Sequence, residues 1–388
     1  MAALVGRTEG VSERWDTGTQ TPHGGQEWRD MTNFVEDFSV TTNCLGTPEK
    51  ALEAAASALK DVSHYPSCDQ EPACLSLAAF LQGDPEILKT DTVRLTEQVS
   101  DIRKRLILGN GASELIDLCI RLSDASSWSP GPTDVQYKEY ERSAANYGIK
   151  LTGVRDAKLV CMVNPCNPTG DFLELESLKK YIEECQDSST IIVDESMIFW
   201  IGPHWRSQSI VSQGSWTESL YRLRGIRVFV IHSWTKIWAC PGLRVGSILA
   251  PTSDAATVLR KHQVPWSLST PAIAFLTEVV KDQDYMDKTW QVTPQWNEDF
   301  RKALQAEKPD WDIKGEKWLS FLWIRTTGSA SARFYVDACR ANGVPVRWGA
   351  HGYQRPEYIR VAVRDPQQAR LVLEAVKLPY PGAVDSSA

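Results

Sequence analysis

Five short apolar runs, separated by polar stretches with helical spacing, constrain this chain more than any other feature. They are Arg105–Leu108, Leu159–Val163, Ile191–Val193, Val228–Ile231 and Val245–Leu249. Unbroken apolar runs of this length suit strands buried on both faces, and such strands need helices on either side to connect them. The pattern predicts an α/β fold, a mostly parallel sheet covered by helices.

Beyond about Asp282 the pattern changes to a long polar helix over Met286–Ala306, an apolar run Trp318–Arg325, a helix near Ser331–Ala341 and a run Tyr358–Val363. That is α+β organisation. With 388 residues the chain exceeds one average domain. The expected division is a large domain at 48–283 and a small domain at 284–388, to which an N-terminal arm, 1–47, contributes. The first 35 or so residues are rich in Gly, Thr, Gln and charge, and helical periodicity begins near Pro48.

Charge and cysteine usage remove several function classes. A net charge of −7 without a long basic run argues against nucleic acid or an anionic membrane as a partner. The nine cysteines form no CxxC pair and the six histidines no ligand spacing, so no metal is expected. No apolar stretch approaches a membrane span or a secretory signal, and the expected location is the cytoplasm. The 15 tryptophans have no functional reading; core or dimer packing is the default.

Four segments carry chemistry. Gly109-Asn110-Gly111-Ala112-Ser113-Glu114 follows a run and opens a helix, where free N–H groups and the helix dipole suit a phosphate. A plain glycine turn capped by Ser113 accounts for that segment equally well. Asn164-Pro165-Cys166-Asn167-Pro168-Thr169-Gly170 follows the run Leu159–Val163; its prolines stiffen a loop that holds Asn167 at a strand's C-terminal edge. Asp194 ends the third run, as a carboxylate able to reach a buried partner or as a helix cap. The fourth run leads into Ser233-Trp234-Thr235-Lys236, with Arg244 after Pro241-Gly242. Hydroxyls, a lysine and an arginine at one strand end suit a phosphate and a carbonyl.

Together, NPCNPTG, VDES and SWTKIWACPGLRVG resemble, in the correct order, three signatures of the pyridoxal 5'-phosphate (PLP)-dependent aminotransferases of fold type I. The resemblance implies a mostly parallel seven-stranded sheet in the large domain and a smaller α+β domain. It implies that Lys236 holds PLP as a Schiff base, that Asp194 pairs with the protonated ring nitrogen, and that Asn167 bonds the ring hydroxyl and borders the substrate. Ala112, Ser113, Ser233, Thr235 and Arg244 would hold the phosphate. Tyr137 falls where the family stacks an aromatic ring on the cofactor, although core packing serves that position too. Tyr65 resembles the tyrosine that reaches a neighbouring subunit's cofactor phosphate, implying a homodimer with shared sites.

Within the family the resemblance is to the branch of histidinol-phosphate aminotransferase and threonine-phosphate decarboxylase. It rests on His23-Gly24-Gly25, Asp37-Phe38-Ser39 and Gln263-Val264-Pro265-Trp266-Ser267. It implies that His23 and Gly24 close over a substrate phosphate, that Arg360 grips an α-carboxylate, and that Arg347 lies near the phosphate. Met197 departs from the family by replacing a tyrosine that bonds the cofactor hydroxyl, as the decarboxylase branch also does. On these marks, decarboxylation of a phosphorylated or otherwise anionic amino acid ranks ahead of transamination of the same class. A non-catalytic binding protein of the same fold is the third reading; the joint presence of Lys236, Asp194, Asn167 and Arg244 speaks against it.

Overall fold

The computed structural model describes residues 23–83, 99–133 and 135–382, which divide into two compact units. The larger comprises Leu45–Asn167 and Asp171–Gln291; the smaller gathers the chain up to Cys44, Pro168–Gly170 and everything from Val292. The second divide falls at 291/292 rather than at the expected 283, because one helix, Gln283–Glu307, runs through it with Pro294 inside.

In the larger unit seven strands form a single sheet: β1 (Leu106–Asn110), β2 (Ser127–Gly131), β3 (Lys150–Leu151), β4 (Leu159–Val163), β5 (Thr190–Asp194), β6 (Arg227–Ser233) and β7 (Val245–Leu249). Their order is β1-β7-β6-β5-β4-β2-β3. Strands β2 to β6 pair in parallel, while β7 runs antiparallel to both β6 and β1. All five apolar runs are strands, and β4, β5 and β7 are buried at every position, as runs lacking polar alternation require. β2 was not expected, because Ser-Trp-Ser-Pro-Gly lacks an apolar run. It is possible because β3 pairs only with Ser127 and Trp128, which leaves Pro130 on an open edge where a missing N–H breaks no ladder.

The register sets where chemistry collects. Val163 pairs with Asp194, Asp194 with Ile231, Ser233 with Gly246, and Asn110 with Val245. The ends of β4, β5, β6 and β1, and the start of β7, therefore share one edge of the sheet. In such folds ligands bind beyond that edge.

The smaller unit is an antiparallel sheet of β8 (Asp312–Lys314), β9 (Phe321–Arg325), β10 (Arg347–Trp348) and β11 (Tyr358–Ala362), in the order β10-β11-β9-β8. Helices Ser329–Ala341 and Pro366–Lys377 contribute Tyr335, Cys339, Val372 and Val376 to its core. The arm is built into this core through Phe38, which is fully buried, bridges to Val346 and accepts the N–H of Ala362 at 2.9 Å. Arg364 fastens the same segment by donating to the carbonyls of Asp37 and Thr42 at 2.7 and 2.9 Å. Residues 1–22, the remainder of the expected arm, lie outside the described residues. Among those described, no helix is long and apolar enough to cross a membrane.

Candidate active site

At the shared edge of the large sheet, the turn after β1 is closely packed on the turn before β7. Gly111 donates to the carbonyl of Arg244 at 2.9 Å. Gly111 has φ +73°, and a Cβ there would lie 2.2 Å from Arg244 Nη2; one at Gly246 would lie 2.5 Å from the backbone N of Ala112. The positive φ at Gly111 and the backbone contact at Gly246 both favour glycine, which lets the turn bearing Ala112 and the turn bearing Arg244 approach closely. The helix Gly111–Arg121 starts here with Asn110 as its N-cap and no side-chain cap, so Ser113 lies in the first turn rather than capping it. First-turn N–H groups have no partner within a helix, which is what an anion requires.

From β6 the hydroxyls of Ser233 and Thr235 approach to 2.8 Å, and Lys236 Nζ donates to Thr235 Oγ1 at 3.0 Å. The short helix Trp234–Ile237 seats the lysine on an aromatic floor: Trp234 and Trp238 stack at 4.9 Å and are fully buried with Trp200, Trp205 and Phe199. This floor accounts for four of the tryptophans as core packing.

Asp194 is 4% exposed. Its Oδ2 accepts the hydroxyl of Tyr140 at 2.9 Å and its Oδ1 the N–H of Ser196 at 2.9 Å. Burial raises its carboxyl above the ordinary range, and the hydrogen bonds from Ser196 and Tyr140 oppose that rise. A carboxylate held in this way gains most from a cationic partner. Burial and the neighbouring Asp194 together push the Tyr140 phenol well above its usual range, which keeps it a donor.

Asn167 ends a loop closed by Cys166 N–H donating to Asp171 O at 2.8 Å and by the Asn164 side chain, which pairs with Leu173 in both directions at 2.8 and 2.9 Å. Tyr137 is partly buried against the core, its ring 6.5 Å from that of Tyr140. Met197 is 3% exposed and supplies no hydroxyl. Tyr65 is 79% exposed and stacks at 4.3 Å on Trp266, itself exposed.

The expected substrate residues other than Asn167 belong to the smaller unit. Arg347 and Arg360 occupy directly paired positions of β10 and β11, and both are buried. Burial brings the Arg347 guanidinium down to about 10, and the charge of Arg360 adds to the fall. Tyr353 joins them: Arg360 Nη1 donates to its hydroxyl at 3.3 Å, and Arg347 lies over its ring at 5.7 Å. Gly24 packs so closely on Ser39 that a Cβ would come within 2.6 Å of its carbonyl oxygen, and that same carbonyl accepts from Arg360 Nη2. Gly25 donates to Ser39 Oγ at 2.9 Å. The His23-Gly24-Gly25 turn is thus joined to Arg360 through one serine. Tyr140 and Tyr353 were not singled out, although the i, i+3 spacing of Tyr137 and Tyr140 is a signal for the first; Ser196 and Ser39 stood inside VDES and Asp37-Phe38-Ser39 without a role of their own.

The large unit fits PLP on its own chemistry. A helix start with hydroxyls and a guanidinium suits the phosphate, an amine suits the aldehyde, and a buried carboxylate between two donors suits a ring nitrogen that carries a proton. Fold and site define a PLP-dependent enzyme of fold type I. The model of the family described as aminotransferase class I and II matches residues 34–376, and the chain belongs to that family.

The histidinol-phosphate aminotransferase 1 of Dechloromonas aromatica (strain RCB) is 25% identical over 358 residues, 86% of this chain and 87% of that protein. Among solved structures, histidinol-phosphate aminotransferase from Clostridium acetobutylicum shares the fold at a TM-score of 0.71 and 22% identity, covering 88% of this chain and 98% of that one. L-threonine-O-3-phosphate decarboxylase from Porphyromonas gingivalis does so at 0.68 and 16%, with the same coverage. The expected ranking of decarboxylation ahead of transamination is therefore reversed: the matching family and the relative just described are aminotransferases, whereas the likeness to the decarboxylase extends to the fold.

Proposed function

We propose that this protein is an aminotransferase for an amine substrate that carries a phosphate or a similar anion, as histidinol phosphate does. The observation that carries the reading beyond the family is the Arg347–Arg360 pair. Two buried guanidiniums at directly opposed strand positions give an anion received beside them two cations to meet, in a setting where water competes little. Planar guanidinium forks also match phosphate and carboxylate geometry.

When bound, PLP supplies an electron sink for charge developing at the substrate carbon. The residues of this chain do the rest. Asp194 holds negative charge against the ring nitrogen, with Tyr140 and Ser196 keeping it ionised. The Ala112 and Ser113 backbone, the Ser233 and Thr235 hydroxyls and Arg244 hold the phosphate. Asn167 donates to the ring hydroxyl, a task it carries without help from Met197. Lys236 would be the amine that holds the cofactor aldehyde, and the same amine would carry a proton at the substrate carbon. Tyr137 would stack on the ring, and the exposed Tyr65 would reach a second copy in a homodimer.

Single-turnover incubation with histidinol phosphate, O-phospho-threonine and common amino acids, following released CO2 and the fate of the amino group, tests this reading. Transfer of the amino group to the cofactor without CO2 is expected. CO2 release from O-phospho-threonine would return the assignment to decarboxylation, toward which Met197 leans.

A further inference from the structure

Strand β5 ends at Asp194, and the chain turns at once through Glu195 and Ser196. The N–H of Ser196 donates to Asp194 Oδ1 at 2.9 Å, an Asx turn, and its hydroxyl lies near enough to lower the proton affinity of the same carboxylate. That hydroxyl also accepts the backbone N–H of Ser233, 37 residues away at the end of β6, at 2.7 Å. The line continues without a gap. Ser233 Oγ meets Thr235 Oγ1 at 2.8 Å, and Thr235 Oγ1 accepts from Lys236 Nζ at 3.0 Å. Ser196 is 9% exposed and Thr235 fully buried, so these bonds are partly screened from competing water.

We propose that Ser196 is a positioning residue that locks the carboxylate of Asp194 to the Ser233–Lys236 turn, holding the two ends of the cofactor site in register. A hydroxyl suits the task because it can donate to a carboxylate and accept from an N–H at once. Alanine would keep the turn, since the Ser196 N–H would still reach Asp194, yet it would remove the hydroxyl that lowers the proton affinity of Asp194 and leave the N–H of Ser233 without this acceptor.

The loss has a sign. Ser196 lowers the proton affinity of a carboxyl that burial raises. Removing the hydroxyl raises that affinity further, so the carboxylate is lost first at the acidic end of the working range. The titratable groups facing Asp194 are Tyr140 from helix Glu139–Asn146 and His232 from β6; β4 brings the apolar Val163 to the paired position. These are the same in wild type and variant, so a difference between the two reports on Ser196.

The test is PLP titration of the apo protein at mildly acidic and mildly alkaline pH, read by quenching of tryptophan fluorescence, for wild type and Ser196→Ala. We expect the Kd for PLP to rise about tenfold at the acidic pH and about threefold at the alkaline one, as for loss of a hydrogen bond to a charged group. Melting temperatures of both apo proteins, taken alongside, establish folding. If Ser196→Ala does not fold, Ser196→Cys, a weak donor and acceptor of similar size, should show the same pH-dependent loss. A Kd unchanged at both pH values, or raised equally at both, would overturn the proposal. The inference rests on PLP binding and not on the substrate reading, and it stands or falls separately from the identity of the amine.

Discussion

The floor of the large sheet and the guanidinium pair of the small one solve opposite electrostatic problems. At the floor, one buried charge, Asp194, is met on each oxygen by a neutral donor, Tyr140 on one and Ser196 on the other. In the small unit two buried cations face each other across β10 and β11, with a phenol and backbone carbonyls among their partners. The first arrangement prepares a single charge for a ligand of the opposite sign. The second gathers two guanidiniums whose charge and fork geometry suit an anion. A resident cofactor suits the former, and a substrate that arrives and leaves suits the latter.

Substitutions can break this contrast. Lys236→Ala should have the largest effect, lowering turnover by about 10³-fold, the usual scale for losing a positioned proton carrier, while PLP still binds; kcat and a PLP titration check both. Asp194→Asn removes one member of a buried charge pair and should cost about 3 kcal/mol of PLP binding, a rise in Kd of more than about 100-fold.

Arg347→Ala sharpens the comparison. It should weaken an anionic amine by about 2 kcal/mol, or roughly 30-fold in kcat/KM, and leave an uncharged amine nearly unaffected. Because it also removes the donor to the His351 carbonyl, the melting temperature without ligand should fall slightly; a large fall would show that the pair is a structural device. Tyr353→Phe, which deprives Arg360 of one acceptor, should cost about 1 kcal/mol, or roughly fivefold in kcat/KM for the same anionic amine.

Much of the large unit was legible because its information is local. Runs such as Leu159–Val163 announce doubly covered strands, and Lys236, Asp194 and Asn167 lie within continuous motifs at their ends. What could not be read depends on register. Ser196 meets Ser233 across 37 residues, and Tyr140 meets Asp194 across 54, through strand pairings that no local pattern specifies. Arg347 and Arg360 could each be named, but not that β10 and β11 set them directly opposite. β2 was hidden for a related reason: its proline is tolerated only because β3 is two residues long. The resemblance leaned toward the decarboxylase through Met197, His23-Gly24-Gly25 and the QVPWS segment, and those residues bear on the reaction less directly than membership of an aminotransferase family does.

The claim on which the rest depends is that Lys236 holds the cofactor. Borohydride reduction of the holoenzyme, followed by proteolysis and mass spectrometry, tests it directly. The account predicts a phosphopyridoxyl group on the peptide containing Lys236 and on no other lysine; a label on a different residue, or none at all, would contradict it.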